Sequence, residues 1–224
     1  MRNPIPIPID PDGLPFIAIP AIAGIGLLLF GFPWSLLGGV SLLLAACCAA
    51  FFRDPERTPP LSPGAVLSPA DGKVVEVSAV PDTDWPGGTA SRVAIFLSLF
   101  DVHVSRSPVS GIIASLRHRP GLFHLAFASE ASRENERAEL TVDGPEGEIP
   151  VRLIAGVVAR RIVIRVGPGD RIDRGGRIGI IRFGSRAEVY FPPGFRPAVQ
   201  PGDRVRGGET VLARREAPAD SGMP

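Results

Sequence analysis

The chain has almost no cysteine: Cys47 and Cys48 are its only two, adjacent and inside an apolar run. Neighbouring cysteines build no disulfide framework, and no Cys/His cluster has metal-ligand spacing. The sequence therefore reads as intracellular or membrane-bound, without a structural metal. Lysine is scarcer still, with Lys73 the single example, so arginine carries nearly all the positive charge. The formal net charge of +1 excludes a global pull toward nucleic acid. Only His103, His118 and His124 are available as histidine bases. Glycine and proline are abundant, 26 and 25, which argues for many turns and short strands. At 224 residues there is room for one packed domain and an appendage.

The appendage is apolar. No charged residue occurs between Gly13 and Phe52. A bilayer span needs roughly 20 apolar residues. Pro33 divides the run into Phe16–Phe32 and Trp34–Phe52, each barely long enough. The expectation is a helical hairpin over 16–52 with a Gly-Phe-Pro-Trp turn, behind a leader at 1–15. Asp10 and Asp12 in that leader argue against a signal peptide, which begins with a basic region. Leu44-Ala45-Ala46-Cys47 looks like a lipoprotein cleavage box but lies too far into the chain. A buried helix pair of a soluble protein is the remaining alternative. Arg53 and Arg57 follow at once, with Asp54 and Glu56 interleaved, and favour a cytoplasmic domain on a membrane, hairpin-anchored or peripheral.

After a stiff linker over 53–64, the composition turns to valine, isoleucine, glycine and proline. Short strands are expected at Lys73–Val77, Arg92–Leu99, Gly111–Leu116, Val151–Ile154, Arg161–Val166, Ile178–Ile181, Glu188–Phe191 and Thr210–Ala213. Ser129–Glu139 reads as a short helix or ordered loop, and 216–224 as a disordered tail. Pro168-Gly169-Asp170-Arg171-Ile172 leads to Gly175-Gly176, and Pro201-Gly202-Asp203-Arg204-Val205 leads to Gly207-Gly208. Ser68-Pro69-Ala70-Asp71-Gly72-Lys73 is a weaker third version. This echo resembles the hammerhead pattern of biotinyl and lipoyl carrier domains. The expected fold is mainly β: a compact sandwich or barrel-like domain over 65–215 with hammerhead-like repeats, behind the helical hairpin.

Chemistry has few candidates. Ser185 follows Gly184 between two apolar runs, where a serine on a bend can attack the unshielded carbonyl before it. His103 lies just past the strand Val93–Phe100, where a scaffold presents side chains. His118, between Arg117 and Arg119, reads as solvated surface; His124 reads as a core histidine or a pocket wall. Asp71 stands in a Pro-Ala-Asp-Gly turn and is, on residue type alone, an ordinary turn aspartate. Together Asp71, His103 and Ser185 supply an acid, a base and a nucleophile.

The order of these segments resembles phosphatidylserine decarboxylases of the short, single-domain, pyruvoyl-dependent type. The strongest stretch runs from Ile154-Ala155-Gly156-Val157-Val158-Ala159-Arg160-Arg161 through Gly169-Asp170 and Arg174-Gly175 to Arg182-Phe183-Gly184-Ser185-Arg186 and Tyr190. Phe52-Arg53-Asp54-Pro55-Glu56-Arg57, Ser68-Pro69-Ala70-Asp71-Gly72, Asp101-Val102-His103-Val104 to Ser107-Pro108, and Glu134-Asn135-Glu136-Arg137 support it.

The resemblance implies cleavage between Gly184 and Ser185 by the chain itself. Ser185 attacks the Gly184 carbonyl, the ester eliminates, and residue 185 becomes a covalent pyruvoyl cofactor. A large β subunit, 1–184, and a small α subunit, 185–224, stay associated as a heterodimer, with a higher oligomer possible. The pyruvoyl ketone forms a Schiff base with phosphatidylserine and serves as the electron sink for loss of CO2, without pyridoxal phosphate or metal. His103 is implied in decarboxylation and Asp71 in self-cleavage. Longer members carry a second histidine before the Ser-Pro pair; here Arg106 holds that place and is a candidate for the lipid phosphate or a solvated arginine. Asn135 is a candidate for the substrate pocket. Two other readings compete: a serine hydrolase, although Ser185-Arg186-Ala187 lacks the Gly-x-Ser-x-Gly elbow, and an inert membrane-anchored carrier-like domain.

Overall fold

The computed structural model describes residues 9–79, 91–122, 134–156, 161–182 and 185–216. The chain divides into two units, Met1–Glu56 and Arg57–Pro224.

The first unit is the expected apolar hairpin. Helix α1 spans Leu14–Leu28 and α2 spans Trp34–Phe51. Glycine lets the two backbones close on each other. A Cβ on Gly24 would lie 2.9 Å from the Gly38 carbonyl oxygen, and one on Gly38 would lie 2.8 Å from that of Gly24. Ser41 adds a hydrogen bond from its hydroxyl to the Pro20 carbonyl at 2.7 Å. With the 3-10 turn Pro11–Gly13 that runs into α1, the helical stretch Pro11–Leu28 and α2 are each long and apolar enough to cross a membrane. The ends of the hairpin meet where Asp10 N donates to the Phe52 carbonyl at 2.7 Å and the Phe16 and Phe52 rings stack.

The second unit is mainly β, with every strand pair antiparallel. Its strands are β1 (Ala65–Leu67), β2 (Gly72–Ala79), β3 (Ser91–Leu97), β4 (Val104–Arg106), β5 (Gly111–Arg119), β6 (Arg137–Gly144) and β7 (Gly147–Ala155), followed by β8 (Ile162–Ile164), β9 (Arg171–Ile172), β10 (Arg177–Ile181), β11 (Ser185–Phe191), β12 (Phe195–Pro197), β13 (Arg204–Val205) and β14 (Val211–Arg215). Eight of them form one sheet in the order β13-β2-β3-β11-β7-β6-β5-β9. Two three-stranded sheets, β1-β14-β12 and β4-β10-β8, complete the unit, and none closes into a barrel. Inward-facing Val93, Ile95, Leu140, Val151, Leu153 and Val189 are fully buried and make the core.

The sequence echo is a structural repeat. Asp170 accepts from Gly167 N through Oδ2 at 2.8 Å, and Asp203 accepts from Gln200 N at 2.9 Å. The strands that follow, β9 and β13, occupy the two edges of the large sheet. Gly175 N donates to the Ser107 carbonyl, and Gly208 N donates to the Ser68 carbonyl, each at 2.8 Å. Both glycines hold a positive φ, 75° and 76°, which a side chain would strain. The relation extends to the Ser-Pro turns: Leu67 N bonds the Pro108 carbonyl at 2.9 Å, and Arg106 N bonds the Pro69 carbonyl at 2.8 Å.

The strands over 111–119, 147–155 and 185–191 are longer than expected and that over 162–164 is shorter, and one segment differs in type. Residues 137–139, expected in a short helix or ordered loop, open strand β6. Their charges misled the reading: Arg137 and Glu139 lie on a charged sheet face, while Ala138 and Leu140 alternate into the core. The Ser129–Arg133 part of that segment, and the tail from 217, lie outside the described residues.

Candidate active site

Ser185 is the first residue of β11, a central strand of the large sheet. It is in register with Leu97 of β3 on one side and Ala155 of β7 on the other. Strand alternation puts it on the face of Ala187, Val189 and Phe191, all fully buried. The Ser185 hydroxyl is itself buried and has no hydrogen-bond partner among the described residues. A hydroxyl taken from water without a replacement bond costs about 1–3 kcal/mol. Gly184 lies outside the described residues, as does His124.

His103 sits just before β4 and is 1 % exposed. Its Nδ1 is 2.9 Å from the Asp101 carbonyl oxygen. A carbonyl only accepts, so Nδ1 carries the hydrogen and Nε2 is the basic atom of the neutral ring. The His103 carbonyl in turn accepts from Ile181 N at 3.2 Å. Ile181 ends β10, the strand that leads toward Ser185, so His103 is stitched to the segment approaching the serine.

Asn135 is fully buried and donates from Nδ2 to the Ala155 carbonyl at 2.8 Å. Ala155 is the cross-strand partner of Ser185, so Asn135 braces the strand against which the serine lies.

Asp71 is placed differently from a relay acid. Its Oδ2 accepts from Arg57 Nη2 and its Oδ1 from Gly207 N, both at 2.7 Å. No hydrogen bond joins it to His103 among the described residues. The repeat explains the Gly207 bond. At the matching turn Ser110 Oγ accepts from Arg174 N at 2.9 Å. Arg106 is 4 % exposed and donates from Nη1 to the Gly175 carbonyl at 3.0 Å, so it is not the solvated arginine that the sequence allowed. His118 is about half exposed, 3.3 Å from Glu136, as a surface histidine would be.

The sequence reading missed a buried ionic layer on the opposite face of the sheet. Arg186 donates from Nε to Glu188 at 2.7 Å and from Nη2 to Glu76 at 2.9 Å. Tyr190 donates its hydroxyl to Glu188 at 2.7 Å. Arg92 bonds Glu76, and Arg152 links Glu188 at 3.7 Å to Glu139 at 3.2 Å. Glu139 also accepts from Arg119 and Arg137, each at 2.9 Å. Burial, then the neighbouring Glu188 carboxylate, push the Tyr190 hydroxyl well above its ordinary range. For Glu76 burial acts to raise the carboxyl, but hydrogen bonds from Ser78 and Arg92 win and hold it below the carboxylate norm. Glu139 is held low against burial in the same way, by Arg137, Arg152 and Arg119. The signal was present: Arg186-x-Glu188-x-Tyr190 and Arg137-x-Glu139 alternate at strand period.

The arrangement is a buried, unpartnered serine hydroxyl fixed by sheet register, and a buried histidine whose carbonyl bonds the end of the preceding strand β10. Known proteins match it over most of its length. The family model for phosphatidylserine decarboxylase matches residues 44–213. A phosphatidylserine decarboxylase proenzyme of Mycobacterium bovis (strain BCG / Pasteur 1173P2) is 45% identical over 217 residues, covering 95% of this chain and 92% of the relative. One from Beijerinckia indica is 44% identical over 212 residues, covering 93% and 90%. One from Mycobacterium avium is 44% identical over 217 residues, covering 95% and 88%. The chain belongs to the phosphatidylserine decarboxylase family.

Proposed function

We propose that Ser185, by cleaving its own N-terminal peptide bond, supplies the pyruvoyl group with which this decarboxylase converts phosphatidylserine to phosphatidylethanolamine and CO2. One observation carries this: the Ser185 hydroxyl is wholly buried and unpaired among the described residues, on a central strand. The Ser91 and Ser105 hydroxyls are buried and unpaired among the described residues as well, so what sets Ser185 apart is that it follows Gly184 and opens a central strand in a chain of the decarboxylase family. The position suits a group made from Ser185 itself, since it is closed to water and fixed by neighbours on both sides.

In self-cleavage the Ser185 Oγ attacks the Gly184 carbonyl and gives its proton to a base. His103 Nε2 is the base we assign, because Nδ1 is committed to the Asp101 carbonyl. The Gly184 C–N bond breaks as the ester forms. Elimination then releases the chain ending at Gly184, and the dehydroalanine left at 185 tautomerises, takes up water and loses ammonia. The resulting ketone, once condensed with the substrate amine with loss of water, would supply the electron sink for the pair left behind as CO2 departs. His103 then returns a proton to the carbon that lost the carboxylate, so one imidazole serves both steps. Asn135 fixes Ala155, and through it the strand beside residue 185. Arg106 is assigned to the Gly175 turn rather than to a lipid phosphate, because its guanidinium is buried against that carbonyl.

The two products stay joined by the sheet. Strand β11 of the small piece lies between β3 and β7 of the large one, while β13 and β14 pair with β2 and β1. Asp71 to Gly207 and Arg57 to Glu209 add side-chain ties across the same division. The α1–α2 hairpin would anchor the enzyme to the inner membrane, with the β unit on the cytoplasmic face.

Intact-mass measurement of the purified protein tests the reading. Two fragments are expected, the smaller carrying a pyruvoyl N-terminus. Ser185→Ala should remain full length and inactive. An intact wild-type chain that hydrolyses esters would favour the hydrolase, and retained decarboxylation in Ser185→Ala would overturn the assignment.

A further inference from the structure

The turn between β3 and β4 carries two large apolar side chains into solvent: Leu99 is 52% exposed and Phe100 86%. It is a built turn. Asp101 N donates to the Ser98 carbonyl at 3.0 Å, and the Asp101 carboxylate accepts from Ser98 N and Oγ at 2.8 and 2.7 Å. The turn lies at the Ser185 end of the large sheet, because Leu97, which precedes it, is the cross-strand partner of Ser185. Phe100 is therefore within about 10 Å of chain from that partner. His103 follows, its ring held by the Asp101 carbonyl.

Basic residues surround this end. Arg204 is 72% exposed and reaches Asp101 from Nη1 at 2.7 Å. Lys73 is exposed and is the cross-strand partner of both Arg204 and Phe96. Exposed Arg161 accepts from Arg182 N through its carbonyl at 3.2 Å, on the segment that leads to Ser185. Lys73 and Arg161 make no ion pair among the described residues. The acids nearby are engaged: Asp101 by Ser98 and Arg204, and Asp203 by Gln200 N.

We propose that the Ser98–Asp101 turn is a bilayer-contacting tip: Leu99 and Phe100 enter the apolar boundary of an anionic phospholipid surface, and Lys73 and Arg161 meet its headgroups. Apolar side chains beside basic ones that have no acid partner among the described residues are what an anionic interface selects, while Arg204 balances Asp101 on the turn itself; neither feature alone would suffice. The contact brings the Ser185 end of the sheet to the depth at which a lipid headgroup lies. It rests on the decarboxylase reading, since it needs a substrate that resides in a bilayer. It is a contact made by the β unit itself, separate from the hairpin.

The test uses the full chain with Leu99→Ser and Phe100→Ser combined. Self-cleavage is read by mass, and turnover is measured on monomeric short-chain phosphatidylserine and on vesicles of equal parts phosphatidylserine and phosphatidylcholine. Cleavage and monomer turnover should match wild type, while the half-saturating vesicle concentration rises about tenfold or more. Unchanged vesicle kinetics, or equal losses on both substrates, would overturn the tip. A wild-type chain that neither cleaves nor turns over the monomer would instead sink the decarboxylase reading. Phe100→Trp, with Trp34 and Trp85 changed to Phe, gives a second readout. Its emission should shift to the blue and be quenched by brominated acyl chains; emission that stays water-like in the presence of vesicles contradicts the proposal.

Discussion

Asn135 Nδ2 donates to the Ala155 carbonyl at 2.8 Å, and Ala155 is the residue across from Ser185. Asn135 is fully buried, so removing it leaves a carbonyl without its donor in a dry site. Asn135→Ala should lower unfolding free energy by about 1–3 kcal/mol. It should also slow self-cleavage, because the strand beside Ser185 loses its brace. Denaturant titration in a Ser185→Ala background measures the first effect, and the time course of fragment appearance measures the second. A purely stabilising Asn135 would leave that time course unchanged.

Asp71 separates two roles by substitution. If it only closes the Gly207 turn, Asp71→Ser should cleave like wild type, since Ser110 does the same work at the matching turn. If its charge is needed for cleavage, through Arg57 or otherwise, Asp71→Ser and Asp71→Ala should both accumulate precursor. The geometry favours the first outcome, with Asp71→Ala destabilised by about 1–3 kcal/mol for the lost bond to a turn N–H and the lost carboxylate partner of the largely buried Arg57. Following precursor accumulation in both variants decides between them.

Several elements were legible in the residues. The hairpin was written in a charge-free run, and the repeat in two Pro-Gly-Asp-Arg turns, because both depend on local chemistry. Strands β2, β3 and β10 were legible as short valine- and isoleucine-rich runs. The ends β9 and β13 were not, because two-residue strands such as Arg171–Ile172 acquire their identity from the edge they pair with. The candidate site divided in the same way. Ser185 and His103 stood out by residue type and neighbours. The partners of Asp71 and Arg106 did not, because Gly207 and Gly175 lie far along the chain and meet them only through the repeat.

Acid should weaken the β unit. Glu76 and Glu139 have carboxyl groups held below their ordinary value of 4.5. A carboxyl depressed in the folded state contributes stability that is present above its unfolded pKa and is lost as pH falls through the lower folded value. The thermal midpoint of Ser185→Ala should therefore be flat in the contribution from these groups above about pH 5 and decline below about 4.5. Replacing both residues with Gln should flatten the decline. A slope unchanged by the double variant would show that other carboxyls drive it.

Glu188 is the most consequential single charge in the ionic layer. It is fully buried, 2.7 Å from Arg186, and accepts from Tyr190 at 2.7 Å, while Arg92 and Arg152 stand within 4 Å. Taking away one partner of a buried pair leaves the others charged in a poor solvent, at a cost of about 3–5 kcal/mol. Glu188→Gln should show that loss in the Ser185→Ala background, where the chain stays in one piece. In the self-cleaving chain the same change should act on cohesion as well. Arg186 and Glu188 belong to the small piece, and Glu76, Arg92 and Arg152 to the large one, so the layer spans the proposed break. The pieces of Glu188→Gln should separate at lower denaturant than those of wild type, as read by size-exclusion chromatography. A variant that loses stability uncut, yet separates at the wild-type concentration once cleaved, would assign cohesion to strand pairing alone.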